Sequence, residues 1–193
     1  MKYLFFDTET SGLPKNWKAP TSDIDNWPRV VQLAYVITDE IGKIEKEFDS
    51  IVKPVGFFIS KEASDIHGIT QEIAEEYGVD LNFVLNEFVY DISIVDILVA
   101  HNMAFDEKVM GAECIRDGGT DWLEKRKKVC TMKESTNYCM LPNKYRKYGY
   151  KWPTLQELHK VLFNEEFKDA HDALNDIRAT VKCFFELKRR EVL

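Results

Sequence analysis

The sequence predicts an α/β fold: one mixed sheet with helices packed against it. Two observations carry this prediction. Apolar, strand-like runs crowd the first quarter of the chain at residues 2–7, 30–38 and 44–52. From residue 60 onward, helical patterns alternate with two short apolar runs at 94–100 and 128–130, the order expected of a sheet covered by helices.

The elements follow in order. The first run, through Tyr3, Leu4, Phe5 and Phe6, is apolar enough for a buried strand. A polar insert, 14–28, is too rich in Pro, Asn and Asp for regular structure. The second and third runs are joined by a turn at Ile41-Gly42-Lys43, which predicts an antiparallel meander for the first three strands. Ser60 and Thr70 are N-cap candidates for two short helices. Leu81, Val84, Leu85, Phe88 and Val89 repeat with a helical period over 80–91. The run 94–100 reads as a strand buried on both faces, followed by a helix over 104–114 and a fifth strand at 128–130. Thr154 caps a helix to Leu162, and a last helix over 173–189 carries Leu174, Ile177, Val181, Phe184 and Phe185 on one side.

At 193 residues, with no linker or repeat, the chain is expected to form a single domain, 1–193. It holds 45% hydrophobic and 31% charged residues, an ordinary globular balance, and no apolar run long enough for a membrane span. The N-terminus enters the first strand directly, without signal-peptide layout, and Cys114, Cys130, Cys139 and Cys183 lack metal-type spacing; both predict a cytoplasmic protein with reduced thiols. The formal net charge of −7 does not exclude a nucleic-acid partner, because cations gather at 125–128, 144–151 and 188–190. A carboxylate cluster that takes up metal ions also loses its negative charge.

Asp7 and Glu9 are two residues apart at the end of the first strand, so both point to one side of the sheet. Two acids on one face call for a cation between them, and carboxylate oxygens suit magnesium or manganese. The competing reading is a strand that ends in solvent. Asp106, in His101-Asn102-Met103-Ala104-Phe105-Asp106, follows the buried fourth strand, where ligand sites of open α/β sheets gather. It also suits the dipole of the helix it begins. His171 and Asp176 are five residues apart, about 140° around an ideal helix. His171 is therefore placed on the loop leading in, with Asp172 as N-cap and Asp176 inside the helix.

The quoted motifs, Phe6-Asp7-Thr8-Glu9-Thr10-x-Gly12-Leu13, His101-Asn102-x-x-Phe105-Asp106 and His171-x-Ala173-x-x-Asp176, resemble the three signatures of the DEDDh (DnaQ-like) 3′-to-5′ exonucleases. Ile66-His67-Gly68-Ile69-Thr70 is similar to a further family segment. The resemblance spans residues 3–185 in the expected order. It implies a ribonuclease-H-like fold, a five-stranded mixed sheet flanked by helices. It implies that Asp7, Glu9, Asp106 and Asp176 hold two divalent ions, Mg2+ or Mn2+, with Asp7 bridging them, and that His171 is the general base.

By the same likeness Thr10, Gly12, Leu13, His67, Asn102 and Phe105 border the 3′-terminal nucleotide. His67 has a competing reading as a helix-linker histidine satisfied by backbone, and Phe105 as core packing. The 144–152 stretch interleaves cations with aromatics and reads as either a nucleic-acid contact or a solvated loop. The implied activity is metal-dependent removal of nucleoside 5′-monophosphates from single-stranded 3′ ends. DNA is favoured, as in polymerase III epsilon-like proofreading, and a DNA polymerase subunit and a homodimer are admitted as partners. RNA-trimming or oligoribonucleotide-degrading enzymes share the motifs. A non-catalytic nucleic-acid-binding scaffold would be expected to lack an acid or the histidine, and all five are present.

Overall fold

The computed structural model describes residues 1–144, 148–165, 167 and 173–193. Five strands, β1 (Tyr3–Thr10), β2 (Val30–Thr38), β3 (Ile44–Ile51), β4 (Ile97–Ala100) and β5 (Lys128–Cys130), form a sheet of order β3-β2-β1-β4-β5. β1 pairs antiparallel with β2, and β2 with β3, as the meander predicts. β4 pairs parallel with β1 and β5.

Strand alternation sorts the core into two layers. Tyr3 and Phe5 of β1, Ala34 and Val36 of β2 and Val99 of β4 pack with Ile177, Val181 and Phe184 of α8 (Ala173–Arg189). Leu4, Phe6, Leu33, Tyr35 and Leu98 point the other way, against α3 (Leu81–Ser93) and α4 (Met103–Arg116). α1 (Lys61–His67) and α2 (Gln71–Tyr77) start at Ser60 and Thr70, whose side chains accept from Ala63 N and Ile73 N. α7 (Leu155–Phe163) starts with a reciprocal cap between Thr154 and Glu157.

The structure differs from the sequence reading at three places. β1 continues past Asp7 to Thr10, because the acidic segment stays in register with β2, Asp7 against Ala34 and Glu9 against Gln32. β4 starts at Ile97 rather than 94, because Ile94 closes α3. Two short helices, α5 (Thr131–Glu134) and α6 (Thr136–Cys139), lack the long apolar period that announces a helix.

Buried charge is tied down. The Glu113 carboxylate is fully buried and accepts from Arg29 Nε at 2.8 Å and Val30 N at 2.9 Å. Asp91 accepts from the Tyr35 hydroxyl at 2.5 Å and pairs with Lys46 at 2.6 Å. At the C-terminal cation cluster, Arg189 and Arg190 both bind Glu186 at 2.6 Å. All four cysteines are buried and free, and burial pushes the Cys114 and Cys183 thiols up to about 12, which makes these two poor nucleophiles. Among the described residues no helix is long and apolar enough to cross a membrane.

Candidate active site

The second half of β1 builds the site. Asp7 and Glu9 lie on the face that Tyr3 and Phe5 present to α8, both partly buried. Thr8 points to the opposite face. Pairing with β4 ends at Phe5–Val99, so past that point no strand flanks this edge of β1. The first turn of α4 fills the gap. Asp106 Oδ1 accepts from Thr8 N at 3.1 Å and from Thr8 Oγ1 at 2.8 Å, and the acid is 3% exposed. The strand end and the helix start are thus held by one carboxylate oxygen. A register shift between Glu9 and Thr10 disturbs the ladder with β2 directly beside the acids, a device that re-aims side chains.

Asp176 comes from the other layer, in the first turn of α8. Four carboxylates from three elements share one field. Burial, and then Asp176, pushes the Asp7 carboxyl up to about 7. Burial, then Asp7 and Asp176, pushes Glu9 up to about 8. Burial and Asp7 raise Asp106 well above the usual carboxylate range, against the two Thr8 hydrogen bonds. No lysine or arginine among the described residues pairs with Asp7, Glu9 or Asp106.

Acids raised by burial and by one another, with no cationic side chain among the described residues paired to Asp7, Glu9 or Asp106, suit a multivalent cation, and the all-oxygen donor set suits Mg2+ or Mn2+. Among the described residues no three Asp, Glu, His or Cys side chains stand in finished ligating geometry. Bare carboxylates repel one another, and a divalent ion between them removes that repulsion.

Beside the acids lies a cavity of about 390 Å³, mostly apolar, bordered by Glu9, Thr10, Gly12, Leu13, His67 and Phe105. Five residues expected at the terminal nucleotide therefore line one space with a catalytic-acid candidate. Ser60, the N-cap of α1, and the α1 residues Glu62, Ala63 and Ile66 form the other wall. The sequence reading missed this wall except for Ile66, which opens the segment leading to Gly68. Gly68 at φ 76° closes α1.

Asn102 does not line the cavity. It precedes α4 at φ 75°, in the left-handed region that asparagine tolerates, and makes no side-chain cap bond. Both His67 nitrogens meet backbone, Nδ1 accepting from Ile69 N at 3.1 Å and Nε2 lying 3.3 Å from Thr10 O, so the ring pins the cavity floor. His101 joins the end of β4 to the chain before α7, with Nδ1 2.9 Å from Thr131 Oγ1 and Nε2 3.0 Å from Pro153 O. Burial lowers this ring to about 4, so it stays neutral. His171 and Asp172 lie outside the described residues, as do 145–147 of the cation–aromatic stretch. Within that stretch Lys151 pairs with Glu157 at 2.5 Å, and Trp152 remains 62% exposed beside Pro153.

The profile of the RNase T-type exonuclease family matches residues 4–184. The chain belongs to this exonuclease family. Its fold is the ribonuclease-H-like one of DnaQ-like enzymes, with the strand order and directions given above. Among curated proteins, no sequence matches the exonuclease chain significantly. Among solved structures, the zinc-bound complex of E. coli exonuclease I with single-stranded DNA is 22% identical at TM-score 0.78, covering 98% of this chain and 41% of that one. Exonuclease I from Methylocaldum szegediense is 21% identical at TM-score 0.76, covering 98% and 41%. The chain thus spans less than half the length of these neighbours, and at such identity the likeness shows the fold.

Proposed function

We propose that the protein is a metal-dependent 3′-to-5′ exonuclease that removes nucleoside 5′-monophosphates from single-stranded ends, with DNA as the preferred strand. The carrying observation is the apolar, nucleotide-sized cavity that shares Glu9 with a cluster of carboxylates raised by burial and by each other.

Asp7, Glu9, Asp106 and Asp176 would hold two divalent ions. Ions bound there supply Lewis-acid stabilisation of charge on the attacked phosphate and lower the pKa of water. The chain's own residues do the rest. Gly12 and Leu13 border the last sugar and base, Thr10 Oγ1 donates to Gly12 O at 2.7 Å and fixes that turn, and Phe105 offers a face for stacking. His171 takes the proton of the attacking water, a duty an imidazole can perform.

Preference for DNA is supported by the neighbours solved with single-stranded DNA, among them E. coli exonuclease I with a dA16 oligonucleotide. A proofreading role with a polymerase subunit is the narrower form of this reading. Purified protein with Mg2+ or Mn2+ is expected to shorten matched single-stranded DNA faster than RNA, in the absence of any polymerase. RNA shortened faster than DNA would move the substrate to the RNA-trimming class. Activity that needs an added polymerase would favour the proofreading form.

A further inference from the structure

The polar insert between β1 and β2 is more ordered than its composition suggests. Asn16 N donates to Asn26 Oδ1 at 2.7 Å, and Asn26 Nδ2 donates to Asn16 O at 3.0 Å, which closes the loop on itself. Lys108 Nζ donates to Ala19 O at 3.0 Å, and Arg116 Nη2 to Trp27 O at 2.6 Å, which fastens it to α4. Trp27 is 3% exposed and donates its indole N–H to Pro20 O at 3.1 Å, the ordinary fate of a loop tryptophan. Trp17, in the same pinned loop, is 54% exposed. Its ring lies 5.7 Å from that of Phe105, tilted by 41°. Phe105 lines the cavity and Trp17 does not.

The cavity, about 390 Å³, has the size for one nucleotide, so a second base of a bound strand would meet the surface beside it. The surface one ring beyond Phe105 is an exposed indole on a fixed loop. Stacking on such a face is tolerant of sequence, as stepwise digestion requires. We propose that Trp17 is the stacking platform for the second base from the 3′ end of the bound strand. This inference rests on the nuclease reading above.

The test compares two substrates. The p-nitrophenyl ester of thymidine 5′-monophosphate fills only the terminal position, whereas (dT)4 reaches the platform. Trp17→Ala is expected to raise KM for (dT)4 about tenfold while KM for the ester changes less than about twofold. Trp17→Phe is expected to keep most of the wild-type KM for (dT)4. Without metal, (dT)4 is expected to quench tryptophan emission of the wild type, and this quenching is expected to vanish in Trp17→Phe. Unchanged KM for (dT)4 in Trp17→Ala would overturn the platform, as would equal loss on both substrates, which marks a structural role. Wild-type protein inactive on both substrates and unquenched would instead bring down the nuclease reading, and the platform with it.

Discussion

At the scale of single residues, the site is set by what each side chain must neutralise or leave open. Asp7 and Glu9 in the fold titrate near about 7 and about 8, against 3.8 and 4.5 for the free side chains. Between those limits the folded state binds more protons than the unfolded one, so stability falls as pH rises. Melting in EDTA is therefore expected to occur several degrees lower at pH 8 than at pH 5. Mg2+ is expected to raise the midpoint more at pH 8, where the acids are ionised. Calorimetry at both pH values checks this, and an equal metal effect at both would refute it. Gly12 makes a separate point. Its φ is not in the left-handed region, and an added methyl would meet only Ser60 Oγ at 4.0 Å, so packing does not require glycine there. Gly12→Ala is expected to leave the unfolding free energy within about 0.5 kcal/mol of wild type, read by chemical denaturation. It is also expected to lower kcat/KM at least about tenfold by crowding the nucleotide. That Asp7, Glu9, Asp106 and Asp176 come together was legible because each stands at a strand end or a helix start, in an order that lets them converge. Trp17 was not, because an aromatic in a polar insert shows its contact with Phe105 only once the insert is folded.

At the scale of elements, the sheet, the helices and their caps follow from local pattern. Alternation in β1 placed two acids on one face, and Ser60, Thr70, Asp80 and Thr154 cap as their residue types predict. What the pattern could not give is where strands stop. β1 runs on through its acids because β2 pairs with it, and β4 stops early enough for α4 to reach Thr8. The shift between Glu9 and Thr10 likewise exists only in the pairing with β2. The start of β2 is held from below by α4, through Glu113 with Arg29 and the Val30 amide. Removing one partner of a buried ion pair leaves the other uncompensated. Glu113→Ala is expected to cost about 3–5 kcal/mol, read by chemical denaturation. A loss under about 1 kcal/mol would show that the clamp is dispensable.

At the scale of the whole molecule, two helical layers meet at one strand end. α4 delivers Asp106, α8 delivers Asp176, and β1 between them carries Asp7 and Glu9, so the acids converge because both layers pack on the central strand. The formal net charge of −7 says little about the partner, since it counts the four acids of the site as fully ionised, whereas burial raises Asp7, Glu9 and Asp106 and a bound cation would offset their charge. The most direct test of the account is digestion of a single-stranded oligonucleotide labelled at its 5′ end, with Mg2+ or Mn2+, by wild type and by Asp7→Asn. The account predicts a ladder that shortens stepwise from the 3′ end, stops in EDTA and falls at least about a thousandfold in Asp7→Asn. Early release of the 5′-labelled nucleotide, or equal digestion by Asp7→Asn, would contradict it.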